Sequence, residues 1–362
     1  MSSRTTRVAG RALAALVLLA SIAGGTTTAQ AGATVCPPDE DELTIGQISS
    51  SPNVLSCGLV GSVVVYDNTG LAIPEPDTAV AIDAIDPSGT THGFMLKVAK
   101  DGRLSYDLSE TSADTPDGTD SADVLVNPTT TALDQSAESD ASGTETPDAT
   151  GTEVADADAA TALGACSDGA YATKDLKEYG TYNWYIGDGG MPGALSQYNA
   201  RLAFADAIDN ITGSYNNCGY TDQVDASSSY QGTTTYEADI NSSSQCTSRD
   251  GKSTWDAGDL YGGHVAVACT WSWDWVGMKN DLREGDVRYN TADFDFTNSP
   301  TSGCWNLYDI RSVGTHEAGH VFGMGHVGSG HDNLTMYTNS FTCTTKARTL
   351  GKGDILGLRS IY

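Results

Sequence analysis

Hydrophobic residues gather first in a single block. Residues 12–23 are apolar, follow Arg4, Arg7 and Arg11, and lead into Ala29-Gln30-Ala31. A basic start, a short apolar run and a small-residue end predict an export signal over 1–31. The run is too short to span a bilayer, and with no paired arginines the general secretion route is expected. From 32 to 109 the pattern changes to β-branched and apolar runs at 62–66, 79–82 and 94–98. Turn sequences, Asp67-Asn68-Thr69-Gly70 and Pro87-Ser88-Gly89, separate them. This stretch predicts a small β-rich module. From 110 to 165 the apolar pattern vanishes: there are thirteen Asp and Glu, no Lys or Arg, and no aromatic residue. Such a segment buries too little apolar surface to offset its ordering entropy, so a disordered, acidic linker open to proteolytic nicking is expected.

Periodicity returns over 166–362. A strand is expected at 181–186. A helix follows over 194–212, with Leu195, Tyr198, Leu202, Ala205 and Ile208 spaced by three and four. Further strands are expected at 234–240, 264–271 and 286–289. Asp309 reads as the N-cap of a second helix through Ile310, Val313 and His316.

A length of 362 residues allows about two domains. The net charge of -28 argues against nucleic acid or an anionic membrane as partner, and no later segment predicts a transmembrane helix. Eight cysteines behind an export signal imply disulfides formed outside the cell. Cys36 and Cys57 are expected to pair, leaving Cys166, Cys218, Cys246, Cys269, Cys304 and Cys343, whose pairing stays open.

The chemistry lies in His316-Glu317-Ala318-Gly319-His320-Val321-Phe322-Gly323-Met324-Gly325-His326, the pattern H-E-x-x-H-x-x-G-x-x-H. On a helix His316 and His320 sit one turn apart on one face, so both imidazoles converge on one metal ion. Gly323 can adopt positive φ, end the helix and bring His326 back to the same point. Three neutral histidines leave the fourth position of Zn²⁺ open, as in catalytic rather than structural sites. Glu317 is placed to take a proton from a zinc-activated water as general base.

These residues resemble the zinc motif of the metzincin metalloproteases. Leu334-Thr335-Met336-Tyr337 looks like their methionine turn, with Met336 as an apolar floor rather than a ligand. Within that group the chain is most similar to the matrixins of the secreted bacterial type, on the run Thr349 to Leu358. The close match covers about 306–362, with a looser one back to about 181. The resemblance implies an α+β catalytic domain over 166–362, with a twisted, mostly parallel sheet, an active-site helix and a C-terminal helix. It casts 32–109 as a propeptide, although Cys57 lacks the arginine, proline and aspartate expected around a switch cysteine. It also makes 263–268 an upper edge strand on which an extended substrate lies, with Val265 and Ala266 as contacts. An ordinary buried strand is an equal alternative there. Tyr337 and Thr338 resemble positions lining the S1′ pocket. His331 is expected in an exposed loop, and no second zinc is predicted at His264. The function implied is that of a secreted, monomeric, zinc-dependent endopeptidase acting on proteins or peptides. The alternatives are a secreted binding or adhesion module on the same scaffold, or a zinc hydrolase of a non-peptide amide. Structural Ca²⁺ is a further possible cofactor among the aspartates, without a full calcium-loop motif.

Overall fold

The computed structural model describes residues 36–90, 92–108, 164–274 and 277–362. The expected signal at 1–31, and 110–163 of the expected linker, lie outside them. The N-terminal part forms strand β1 (Glu42–Thr44), helices α1 (Ile45–Ile48) and α2 (Val54–Cys57), and strands β2 (Val63–Tyr66), β3 (Thr69–Ala72), β4 (Thr78–Ile85), β5 (His92–Val98) and β6 (Leu104–Leu108). The three runs expected there are all strands. Of the expected Asp67–Gly70 turn, Asp67 and Asn68 join β2 to β3 in an antiparallel hairpin, while Thr69 and Gly70 already belong to β3.

After residue 163 come two short strands, β7 (Ala172–Thr173) and β8 (Leu176–Lys177), then β9 (Tyr182–Gly187) and helix α3 (Gln197–Thr212). Next are β10 (Ser228–Thr234), β11 (Gln245–Cys246), β12 (Ser253–Gly258), β13 (Ala266–Trp273) and β14 (Asn280–Asn290). Helices α4 (Ile310–Val321) and α5 (Lys352–Ile361) complete the fold. One large mixed sheet runs β10-β9-β12-β14-β13-β4-β5-β6, with β8 beside β14. A second sheet runs β1-β2-β3-β11.

The large sheet departs from the mostly parallel arrangement expected. β10, β9, β12, β14 and β8 are parallel, but β14, β13, β4, β5 and β6 are antiparallel. The reason lies in β4, whose residues from Ala79 to Ile85 are all buried. A run buried on both faces belongs inside a sheet, and here its partners are β5 and β13. The N-terminal strands therefore extend the sheet that begins in 164–362. β13 is an interior strand, not an edge.

Two other elements differ from expectation. α3 starts at Gln197, capped by Ser196, whose side chain accepts from Asn199 N at 3.3 Å. Tyr198 and Leu202, at 66% and 41% exposure, face outward. The buried stripe is Ala200, Ala203, Phe204, Ala207, Ile208 and Ile211. Its alanines let this helix pack closely on α4, where a Cβ added at Gly314 would meet Ala207. The strand expected at 234–240 is instead β10 followed by a loop. There the amides of Ala238 and Asp239 donate to the carboxylates of Asp256 and Asp286, at 2.8 and 2.6 Å, rather than to a neighbouring strand.

Between the helices and the sheet, Phe204 stacks on Tyr289 at 5.3 Å between centroids, and Trp255 donates to the Tyr182 hydroxyl at 2.9 Å. The disulfides are Cys36–Cys57, as expected, with Cys166–Cys218, Cys246–Cys269 and Cys304–Cys343. Across β12 and β14, buried Arg288 donates to both carboxylate oxygens of Asp256, at 2.8 and 2.5 Å. Arg288→Met leaves that carboxylate buried and uncompensated, so chemical denaturation should show a loss of about 3–5 kcal/mol. A loss below about 1 kcal/mol would contradict the pairing.

Candidate metal centre

Helix α4 is fixed before it reaches the histidines. The Asp309 side chain accepts from Ser312 N at 2.8 Å, as an N-cap should, and the Arg348 guanidinium clasps the same carboxylate, Nε at 2.7 Å. Every residue from Ser312 to Val321 is buried, so the motif runs through the interior. Gly323 then takes φ +91. A Cβ there would overlap the Leu176 carbonyl, so a side chain is excluded by space as well as by backbone conformation. Met324-Gly325 pairs with β7, and this pairing carries His326 back toward the helix.

The three Nε2 atoms of His316, His320 and His326 form a triangle with 3.0 Å sides. His316 Nδ1 lies 2.8 Å from the Thr335 carbonyl, and His320 Nδ1 lies 3.1 Å from the Met324 carbonyl. A carbonyl only accepts, so each of these Nδ1 atoms carries the proton and each Nε2 turns a lone pair inward. Burial holds the rings neutral. It lowers the pKa of His316 to about 4, and those of His320 and His326 well below the ordinary value. Converging lone pairs repel unless a cation lies between them. A tetrahedral zinc with Zn–N bonds near 2.0–2.1 Å separates ligand nitrogens by roughly 3.3 Å. The residues fit such an ion.

Glu317 is fully buried, and neither carboxylate oxygen has a hydrogen-bond partner among the described residues. Burial first, then the Asp83 charge, hold its pKa well above the usual carboxylate range. Met336 is 1% exposed and packs directly against the helix. A Cβ on Gly319 would overlap its sulfur, so glycine at that position lets the methionine turn close up.

Sequence reasoning missed two groups around this centre. Asp354, at the start of α5, accepts from Gly351 N, Thr335 N and Met336 N at 2.8, 2.9 and 3.1 Å. It fixes the peptide whose carbonyl orients His316. Burial pushes its pKa up to about 6 against the pull of those amides. It lies in the run Thr349 to Leu358 that carried the resemblance, but its role had no signal beyond an acidic residue in the first turn of an apolar helix. Asp83, from β4, pairs with Lys174 and lies 3.8 Å from His320 Nδ1. Nothing in the local sequence pointed to it.

The proposed substrate contacts fall as follows. Val265 and Ala266 are fully buried, and Ala266 pairs with Ile85 of β4 where an added peptide was expected. Thr338 is buried, with its amide 3.2 Å from the Val327 carbonyl, and Tyr337 stacks on Phe341. His331 is half-buried rather than free in a loop. Its Nδ1 lies 2.8 Å from the buried Asp168 carboxylate. Elsewhere, carboxylate oxygens of Asp239, Asp250 and Glu284 lie within 4.8 Å of one another. Both Glu284 oxygens already accept backbone amides, from Asp250 and Gly251. We assign no cation there.

No family model matches the chain, and no curated protein matches it. The fold and site define an α+β protein with a large mixed sheet and a buried three-histidine group able to bind a metal ion such as zinc. Its four disulfides suit an oxidising, extracellular setting. No helix among the described residues is long and apolar enough to cross a membrane.

Asp354→Ala should weaken zinc binding about tenfold, read by competition with a chelator, because His316 loses its fixed carbonyl. Unchanged affinity would separate Asp354 from the site. Burial first, then the neighbouring Asp239, raise the pKa of Glu284 to about 8. A raised folded pKa contributes stability that is complete below the unfolded value and lost as pH rises through the folded one. In chelator, the melting temperature should fall between pH 6 and 9, and Glu284→Gln should flatten that fall. An equally steep fall in the variant would place its cause elsewhere.

Proposed function

We propose that the chain is a secreted zinc-dependent endopeptidase of the metzincin type, with His316, His320 and His326 holding the metal and Glu317 as general base. The observation that carries this reading is the buried, unpartnered carboxylate of Glu317, one residue from the first histidine. Leaving such a group unsatisfied costs about 1–3 kcal/mol or more. A metal held only for structure, or a binding module built on the same scaffold, has no use for it. A hydrolase does.

A bound zinc ion supplies Lewis acidity toward a water and a scissile carbonyl. The Thr335 and Met324 carbonyls keep His316 and His320 in the tautomer that presents Nε2 as ligand. Glu317 accepts the proton of the attacking water and returns it to the leaving amine. Its burial favours the protonated form once that transfer has occurred. Met336 and the apolar residues behind α4 exclude competing water from the rear of the site. Val265, Ala266, Tyr337 and Thr338 remain the proposed substrate contacts.

The test is casein hydrolysis by zinc-loaded protein, intact and cleaved within 110–163, beside the Glu317→Ala variant. The expected outcome is cleavage that falls roughly 10²–10⁴-fold in the variant, with one zinc per chain retained in both. No hydrolysis by either form of the wild type, at full zinc occupancy, would end the peptidase reading.

A further inference from the structure

We infer that a second binding site, independent of the metal centre and of the peptidase reading, takes a neutral oligosaccharide in a groove beside β13 and β14.

The groove is made of two hollows that meet. The first, of about 390 Å³, is lined by Trp271 and Trp273 of β13 with Glu75, Arg249 and Arg283. The second, of about 690 Å³, is lined by Tyr179 and Tyr185 with Asn183 and Gln231. Both volumes fall in the range that holds small ligands. Arg283 and Gly251 line both hollows, so the two adjoin there. A Cβ on Gly251 would meet no atom within 4 Å, which leaves the junction open. No residue of the three-histidine centre lines either hollow.

The chemistry of the walls selects the ligand. Trp273 and Tyr179 are exposed, and an exposed ring beside a hollow offers a flat apolar surface for the C–H face of a sugar. The rings are held before any ligand arrives. Arg283 lies over Trp273 at 3.5 Å from the centroid, Lys177 over Tyr179 at 5.3 Å and Lys252 over Tyr185 at 4.8 Å. Rings already fixed lose little freedom on binding. Around them the walls offer both donors and acceptors. Arg249 only donates, an ionised Glu75 only accepts, and the Asn183 and Gln231 amides do both. A sugar hydroxyl also does both. A polyanion, by contrast, would meet Glu75 and Asp250 beside the two arginines, then Glu178 and Asp281 beyond them. That surplus of carboxylates excludes it.

The probes are cellohexaose and chitohexaose, titrated by calorimetry into the zinc-loaded full chain, with hexagalacturonate and hexalysine as charged controls. At least one neutral probe should bind. Trp273→Ala should weaken it about tenfold or more, the scale of one lost aromatic anchor. Arg249→Ala should weaken it about threefold or more, the scale of one lost hydrogen bond. Arg249 is exposed, so its variant should keep the zinc content and melting temperature of wild type, and it decides the matter where Trp273→Ala folds poorly. No binding of either neutral probe at millimolar concentration, or equal affinity in Arg249→Ala and wild type, would overturn the site. Binding of hexagalacturonate or hexalysine alone would overturn its assignment to a neutral sugar.

Discussion

Three imidazole nitrogens, each 3.0 Å from the other two, with the lone pairs of His316 and His320 turned inward, are the constraint on which this structure depends. Held neutral in a dry interior, they repel one another unless a cation sits between them. The surrounding architecture keeps them in that position. Asp309 and Arg348 fix where α4 begins. Gly323 turns the chain where no side chain fits, and Asp354 holds the methionine turn whose carbonyl sets the His316 ring. Each device acts on orientation rather than adding a ligand.

The centre was legible in the sequence to an unusual degree because its geometry is local. A helical spacing of four and a glycine three residues on determine where two histidines point and where the chain turns back. Asp309 was readable as a cap for the same reason. What escaped was whatever depends on partners far along the chain. Asp83 reaches His320 across more than two hundred residues, and no local pattern encodes that approach. The face of α3 was misread because half of its buried stripe is alanine, which an apolar count weights too lightly beside Tyr198 and Leu202. The strand expected at 234–240 failed because side-chain carboxylates take its amides, a competition that β propensity does not register.

The largest difference concerns β4. Its apolar run was recognised as a strand, but sequence cannot tell which sheet a strand joins. Joining β13, it converts an expected edge into an interior strand and makes residues before the acidic segment part of the same sheet as residues after it. The two parts share a hydrophobic core, in which Val80, Ile82 and Phe94 meet Leu260, Val267 and Trp271.

The metal centre is tested most directly by X-ray absorption at the zinc edge, with metal content, on the protein purified without added metal. One zinc per chain is expected, ligated by three imidazole nitrogens with a light oxygen donor completing the shell. Metal content well below one per chain, or a shell containing sulfur or fewer than three imidazoles, would contradict it.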